Sequence, residues 1–199
     1  MTDARNQPKI LVLAGSARLD SMHRKLARQA VDALRDAGVE ATLADLRDFP
    51  MPMYDGDLEA GQGLPPAAKE LKELARRHNG LAIASPEYNG SFPALLKNAL
   101  DWISRPEPGE RSLEIFRGKV AAILSASPGP GGGTRGLRHL RELLEMMSVS
   151  VIPQELAIAR ASGAFDAEGR LVRAEDLSGL QELAAALAQA AARKEVAVA

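Results

Sequence analysis

Cysteine is absent from the 199-residue chain. That excludes disulfides, thiolate metal sites and thiol redox chemistry, and it is compatible with a reducing cytoplasm. Any redox activity therefore has to come from a borrowed cofactor. A surplus of charge of one sign is also missing: 25 Lys and Arg stand against 26 Asp and Glu, a formal net charge of −1. No field large enough to gather nucleic acid or an anionic membrane is built. No apolar run approaches the roughly 20 residues of a membrane helix, and MTDARNQPK lacks the apolar stretch of a signal peptide, so a soluble, cytoplasmic protein is expected. His23, His78 and His139 share no metal-ligand spacing and H-E-x-x-H does not occur, which leaves no candidate metal site. Neither an internal repeat nor a composition shift divides the chain. A single domain over residues 1–199 is expected, with residues 1–8 and 195–199 as flexible ends.

What is present is an alternation. KILVLAG (9–15), VEATLADL (39–46), LAIAS (81–85), KVAAILSAS (119–127) and SVSVIP (148–153) read as short strands. Apolar runs of this kind are buried on both faces of a parallel sheet. Helical spacing lies between them. Ser21 is placed to cap a helix in which Leu26, Ala27, Ala30, Val31 and Leu34 recur until Gly38. Pro65 and Pro66 suit the first turn of a helix through Arg77. FPALLKNALDWIS (92–104) is a helix ended by the turn RPEPGE, another spans Leu137 to Met147, and an Ala- and Leu-rich helix covers 175–194. RDFPMPMYDGDLEAGQGLPP (47–66) follows neither period and is expected to be a long ordered loop or lid, and 159–174 a turn-bearing excursion. Five strands alternating with five helices predict an α/β fold, a doubly wound five-stranded parallel sheet with helices on both faces. Ligands of such folds bind outside the carboxyl ends of the strands. Three loops qualify by position: GSARLDS (15–21), SPEYNGSFP (85–93) and SPGPGGGTRG (127–136).

The first loop carries two hydroxyls and a guanidinium between a strand and a helix N-terminus. A phosphomonoester there gains hydrogen bonds from the backbone, Ser16 and Ser21, and a forked contact from Arg18. A pyrophosphate prefers several glycines, and this loop has only Gly15; the Walker A pattern is also missing. The plainer alternative is that Ser21 is an ordinary cap and Arg18 a solvated surface residue. The second loop has the parts a flat redox-active ring needs. Pro86 restrains the turn, Asn89 and Gly90 tolerate positive φ and can direct backbone donors inward, and Tyr88 can flank a ring. A turn closing the strand, with Tyr88 on the surface, accounts for the same prolines and glycine.

Taken together, GSARLDSMHRKLA (15–27), DLRDFPMPMYDGDLE (45–59) and SPEYNGSFPALLKNALDW (85–102) resemble the NADPH-dependent FMN reductase family of flavodoxin-like proteins. SPGPGGGTRG stands in the place of the family's third flavin loop, and FDAEGRL resembles a common C-terminal segment. The resemblance implies a homodimer or homotetramer that binds FMN and passes hydride equivalents from NADPH or NADH to a small-molecule acceptor: a quinone, free flavin, azo dye or metal oxyanion. It implies that Ser16, Arg18 and Ser21 hold the FMN phosphate, that Pro86, Glu87, Tyr88, Asn89 and Gly90 hold the ring, and that Ser127, Gly129 and Gly131 approach the ring's other side. The family usually has Asn where this chain has His23. Histidine can still donate to phosphate, but with an unperturbed pKa of about 6.5 it would make affinity depend on pH; the alternative is a solvent-facing helix residue.

Two other functions compete. GGGTRG (131–136) satisfies G-x-G-x-x-G, with Glu155 about 20 residues on, as in a nucleotide-binding dehydrogenase. SASPGP separates the strand from these glycines, whereas that fingerprint needs a tight strand-to-helix turn. A flavodoxin-like electron carrier would hold FMN without reacting with nicotinamide, although near-neutral charge speaks against a surface built to steer docking.

Overall fold

The computed structural model describes residues 7–196, with side chains through Arg193. The expectation of flexible ends therefore falls largely outside the described residues; Gln7 and Pro8 are within them, and Gln7 Nε2 donates to Gly38 O at 2.7 Å. The strands are β1 (Lys9–Ala14), β2 (Glu40–Asp45), β3 (Gly80–Ala84), β4 (Val120–Ala126) and β5 (Ser150–Ile158). The helices are α1 (Met22–Asp36), α2 (Gly56–Gln62), α3 (Pro66–Arg76), α4 (Ala94–Ser104), α5 (Thr134–Met146) and α6 (Ala174–Val196). All strand pairs are parallel, in the order β2-β1-β3-β4-β5. This is the flavodoxin-like doubly wound arrangement, and its order reverses between β1 and β3, where the crevice for a ligand opens.

Alternation along each strand divides the core. Ile10, Val12 and Ala14 of β1 face α1 and α6, while Leu11 and Leu13 face α3, α4 and α5. Because both faces are covered, β1, β3 and β4 are buried almost end to end, which is why they read as unbroken apolar runs. Gly80 opens β3 between two neighbours; a Cβ there would lie 2.9 Å from both Ile10 Cδ1 and Val120 O.

Two segments depart from the periodicity. β5 continues past SVSVIP to Ile158, with a register shift between Ala121 and Ile123 opposite Pro153. An edge strand tolerates the missing proline N–H at such an irregularity. Within 47–66, Asp55 accepts hydrogen bonds from the N–H groups of Asp57 (2.8 Å) and Leu58 (3.4 Å) and so starts the short α2. That segment is strapped down rather than free. Asn98 Nδ2 and Trp102 Nε1 both donate to Pro52 O, at 2.9 and 2.8 Å, and Tyr54 N–H donates to Asn98 Oδ1 at 2.7 Å. Tyr54 also packs edge-on against buried Trp102, with ring centroids 5.0 Å apart. The turn after α4 is tied to α3 by buried Lys72, which donates to Arg105 O at 2.7 Å and pairs with Glu110.

Candidate active site

At the carboxyl end of β1, the Gly15 N–H donates to Ala84 O at 2.9 Å, and a Cβ on Gly15 would stand 3.3 Å from that oxygen. The glycine thus lets the first loop lie against the end of β3. Ser16 and Ser21 are buried in the turn that follows. Ser16 Oγ accepts from the Arg18 N–H at 3.4 Å, and Ser21 Oγ accepts from the His23 N–H at 3.2 Å, capping α1. Each hydroxyl keeps its own proton to donate. The first turn of α1 carries no acid, so the positive end of the helix is unopposed within it. Arg18 is exposed and has no ion pair among the described residues, whereas neighbouring Asp20 is paired with Lys25.

His23 departs from the solvent-facing alternative. It is 7% exposed, not solvent-facing, and burial pushes its pKa down to about 4. In this fold it is therefore neutral near pH 7. Its Nε2 accepts from the Ala126 N–H at 3.2 Å and lies 3.4 Å from Ser125 Oγ.

SPEYNGSFP begins buried and ends in a two-residue hairpin. Tyr88 N–H donates to Ser91 O at 2.8 Å and Ser91 N–H returns to Tyr88 O at 3.1 Å. Asn89 and Gly90 between them take φ of 53° and 80°, the left-handed values that an Asn-Gly turn supplies. These bonds use the Tyr88 N–H; among the described residues no protein acceptor meets those of Asn89 and Gly90. Tyr88 itself is 49% exposed. Glu87 turns away from the hairpin tip, and its Oε2 accepts from the Gly136 N–H at 3.0 Å, on the first turn of α5.

The third loop is bound to the end of β5 and the segment after it. Ser127 N–H donates to Ile158 O at 3.0 Å, Ala161 N–H to Ser127 O at 2.9 Å, and Arg160 N–H to Gly129 O at 3.0 Å. Three of the four glycines of GGGTRG are explained by packing. A Cβ on Gly132 would lie 2.7 Å from Ala157 O, one on Gly133 would lie 2.8 Å from Ser125 Cβ, and one on Gly136 would lie 3.2 Å from Glu87 Cβ. Gly133 has φ 97° and Gly132 φ 62°. Glu155, the acid expected of a dinucleotide site, is instead paired with Arg141 at 3.2 Å.

These loops meet in one cleft. Ser16, Arg18, Ser21, His23, Pro86, Glu87, Tyr88 and Ser127 line a cavity of about 290 Å³. Glu87 and Ser127 also line an adjoining cavity of about 520 Å³ with Gly129 and Gly131. Asn89 and Gly90, at the hairpin tip, line neither. Reasoning from the sequence missed Lys25, Ser162 and Phe165 in the wall of the first cavity. Phe165 opens FDAEGRL, the one available signal, and bridges to Leu171 in the excursion after β5. Ala17 lines a separate pocket of about 290 Å³ with Leu46, Phe49 and Met51, which lacks the hydroxyl pair. No cluster of metal-ligating side chains occurs among the described residues, and no described helix is long and apolar enough to cross a membrane.

The sequence pattern of the NADPH-dependent FMN reductase family matches residues 8–163. An NAD(P)H-dependent FMN reductase of Pseudomonas aeruginosa is 39% identical over 165 residues, covering 82% of this chain and 84% of that one. A 2-hydroxy-1,4-benzoquinone reductase of a Burkholderia species is 33% identical over 174 residues, 87% of this chain and 90% of that one. Among solved structures, the flavoenzyme NAD(P)H:(acceptor) oxidoreductase of Paracoccus denitrificans aligns with a TM-score of 0.80 at 26% identity, over 94% of this chain and 98% of that one.

Proposed function

The chain belongs to the NADPH-dependent FMN reductase family, and from that premise we propose that the joined cleft holds one FMN. Its phosphate lies against Ser16, Arg18, Ser21 and His23, and its ring lies between the Pro86–Gly90 loop and Ser127, Gly129 and Gly131. The activity is transfer of hydride equivalents from NAD(P)H to a small-molecule acceptor. The donor set fits the group: two buried hydroxyls with free protons and an unpaired guanidinium at a helix N-terminus suit a phosphomonoester. The observation that carries the reading is the convergence of three strand-end loops on one cleft, with these donors among its lining and the exposed Tyr88 hairpin beside them.

Bound FMN supplies a ring that accepts hydride from a nicotinamide and gives it up to a second substrate. The chain binds and orients. Arg18 and the serines anchor one end, Pro86 and the hairpin hold the loop beside the ring, and Tyr88 flanks the opening through which nicotinamide and acceptor take turns. No general acid or base is assigned. The Glu87 carboxylate is engaged by α5, and His23 is neutral with one nitrogen committed to β4. Relatives named for quinone reduction favour a quinone-class acceptor. The reading extends to a homodimer or homotetramer in the cytoplasm; Leu19, Met53 and Met146, each more than two-thirds exposed, are apolar surface that self-association would cover.

The test is a visible spectrum after loading with FMN and removing the excess, followed by anaerobic titration with NADPH. Retained flavin that bleaches supports the reductase. Retained flavin that stays oxidised points to an electron carrier, and no retention overturns the site.

A further inference from the structure

The pocket that Ala17 lines shares no residue with either part of the flavin cleft. Its wall comes chiefly from two elements: the segment after β2 supplies Leu46, Arg47, Phe49 and Met51, and α4 supplies Leu95 and Asn98. At about 290 Å³ it stands at the lower end of small-molecule sites. The wall is held in place by the chain itself. Leu46 and Phe49 are buried, and Met51 packs against the core and Trp102. Asn98 Nδ2 donates to Pro52 O at 2.9 Å and Tyr54 N–H donates to Asn98 Oδ1 at 2.7 Å, so the segment that follows Met51 is tied to α4.

Arg47 is the one charged residue in this lining. It is exposed, and its guanidinium has neither an ion pair nor a hydrogen bond among the described residues. The acid beside it is already used: Asp45 Oδ1 accepts from the Arg47 backbone N–H at 3.1 Å, and Asp45 Oδ2 pairs with Arg24. Asp48, the next residue, neither lines the pocket nor pairs with Arg47. Leucine, phenylalanine and methionine around one uncompensated guanidinium fit a flat apolar body that carries a single negative charge. A carboxylate matches the planar fork with both of its oxygens, whereas a phosphate would want more donors than this wall offers. We propose that this pocket is a second small-molecule site, separate from the flavin cleft, and that it takes an aromatic carboxylate. Arg47 pairs with the carboxylate, and Phe49, Met51 and Leu95 pack against the ring. This site does not rest on the FMN assignment.

The probe is 2-naphthoate, with 2-naphthamide as its uncharged counterpart, each titrated by calorimetry into the protein with and without added FMN. The carboxylate is expected to bind at a single site per chain and to exceed the amide by roughly fivefold, the worth of a partly exposed forked pair. Arg47→Gln is expected to bring the two to within about twofold while the amide keeps its wild-type affinity. Leu95→Trp adds bulk to the α4 wall and is expected to remove both. Neither variant should change FMN retention. If Leu95→Trp does not fold, Arg47→Gln carries the test. No saturable binding by the wild type overturns the proposal, as does a preference for the carboxylate that survives Arg47→Gln or binding that survives in folded Leu95→Trp. Binding that FMN competes away puts the probe in the flavin cleft, and binding that emerges only when the protein is diluted to a smaller oligomer gives the pocket to a second copy of the chain. Either result also overturns it.

Discussion

Acid should weaken the apoprotein through His23, and by an amount that can be worked out. In the unfolded chain the imidazole titrates at its ordinary pKa of about 6.5. In the fold, burial holds it at about 4. Between those values the unfolded state binds a proton that the native state refuses, so stability rises with pH across the window. The contribution is complete above the unfolded pKa, declines as pH falls toward the folded one, and is exhausted below both. Two and a half pKa differences at about 1.36 kcal/mol each set a ceiling of about 3.4 kcal/mol. From pH 7.5 to 4.5 the loss assignable to His23 is about 2.5 kcal/mol. Carboxylates titrate over the lower part of this range, and the pKa of His78 is also lowered by burial, so the wild-type profile alone proves nothing. The assay is urea unfolding of apoprotein and His23→Gln at several pH values. The amide does not titrate, and every other group cancels in the difference. Wild type should lose about 2.5 kcal/mol more than the variant over this range. Parallel profiles would show that His23 is accessible enough to charge without cost, and would remove the physical basis for its neutrality.

Other consequences are open to measurement. Arg18→Ala should weaken FMN by on the order of tenfold and leave riboflavin nearly unaffected, since a guanidinium contact serves the phosphate alone; an equal effect on both flavins would refute its place. Gly133→Ala puts a Cβ 2.8 Å from Ser125 Cβ, and closer still to its hydroxyl, at φ 97°. It should cost more than about 2 kcal/mol of stability in denaturant unfolding, and an unperturbed midpoint would contradict the packing described. Tyr88→Ala should alter the KM of bulky quinones more than that of NADPH in steady-state kinetics; identical kinetics with every acceptor would remove Tyr88 from the mouth of the cleft.

Much of the fold was legible without coordinates because its signals are local. An apolar run buried on both faces looks the same in any register, so KILVLAG, LAIAS and KVAAILSAS announced central strands, and GSARLDS, SPEYNGSFP and SPGPGGGTRG followed from their ends. Asn89 and Gly90 announced a tight turn for the same reason: both residue types tolerate the positive φ such a turn needs. Where a neighbour decides, the sequence was silent. Helix α2 depends on the Asp55 cap inside a Pro- and Gly-rich stretch, and the 51–54 strap depends on Asn98 and Trp102, more than forty positions later.

The site divides along the same line. The chain's order and composition determined which loops meet, that any redox chemistry must be borrowed, and that hydroxyls and a guanidinium stand at a helix start. Only the tertiary structure decided what His23, Glu87 and three of the GGGTRG glycines do. Each is set by a partner at a distance in sequence: Ala126 for His23, Gly136 for Glu87, and Ser125, Ala157 and Glu87 for the glycines. A histidine's charge and a glycine's purpose are properties of what surrounds them, and those surroundings exist only once the sheet has brought the strand ends together.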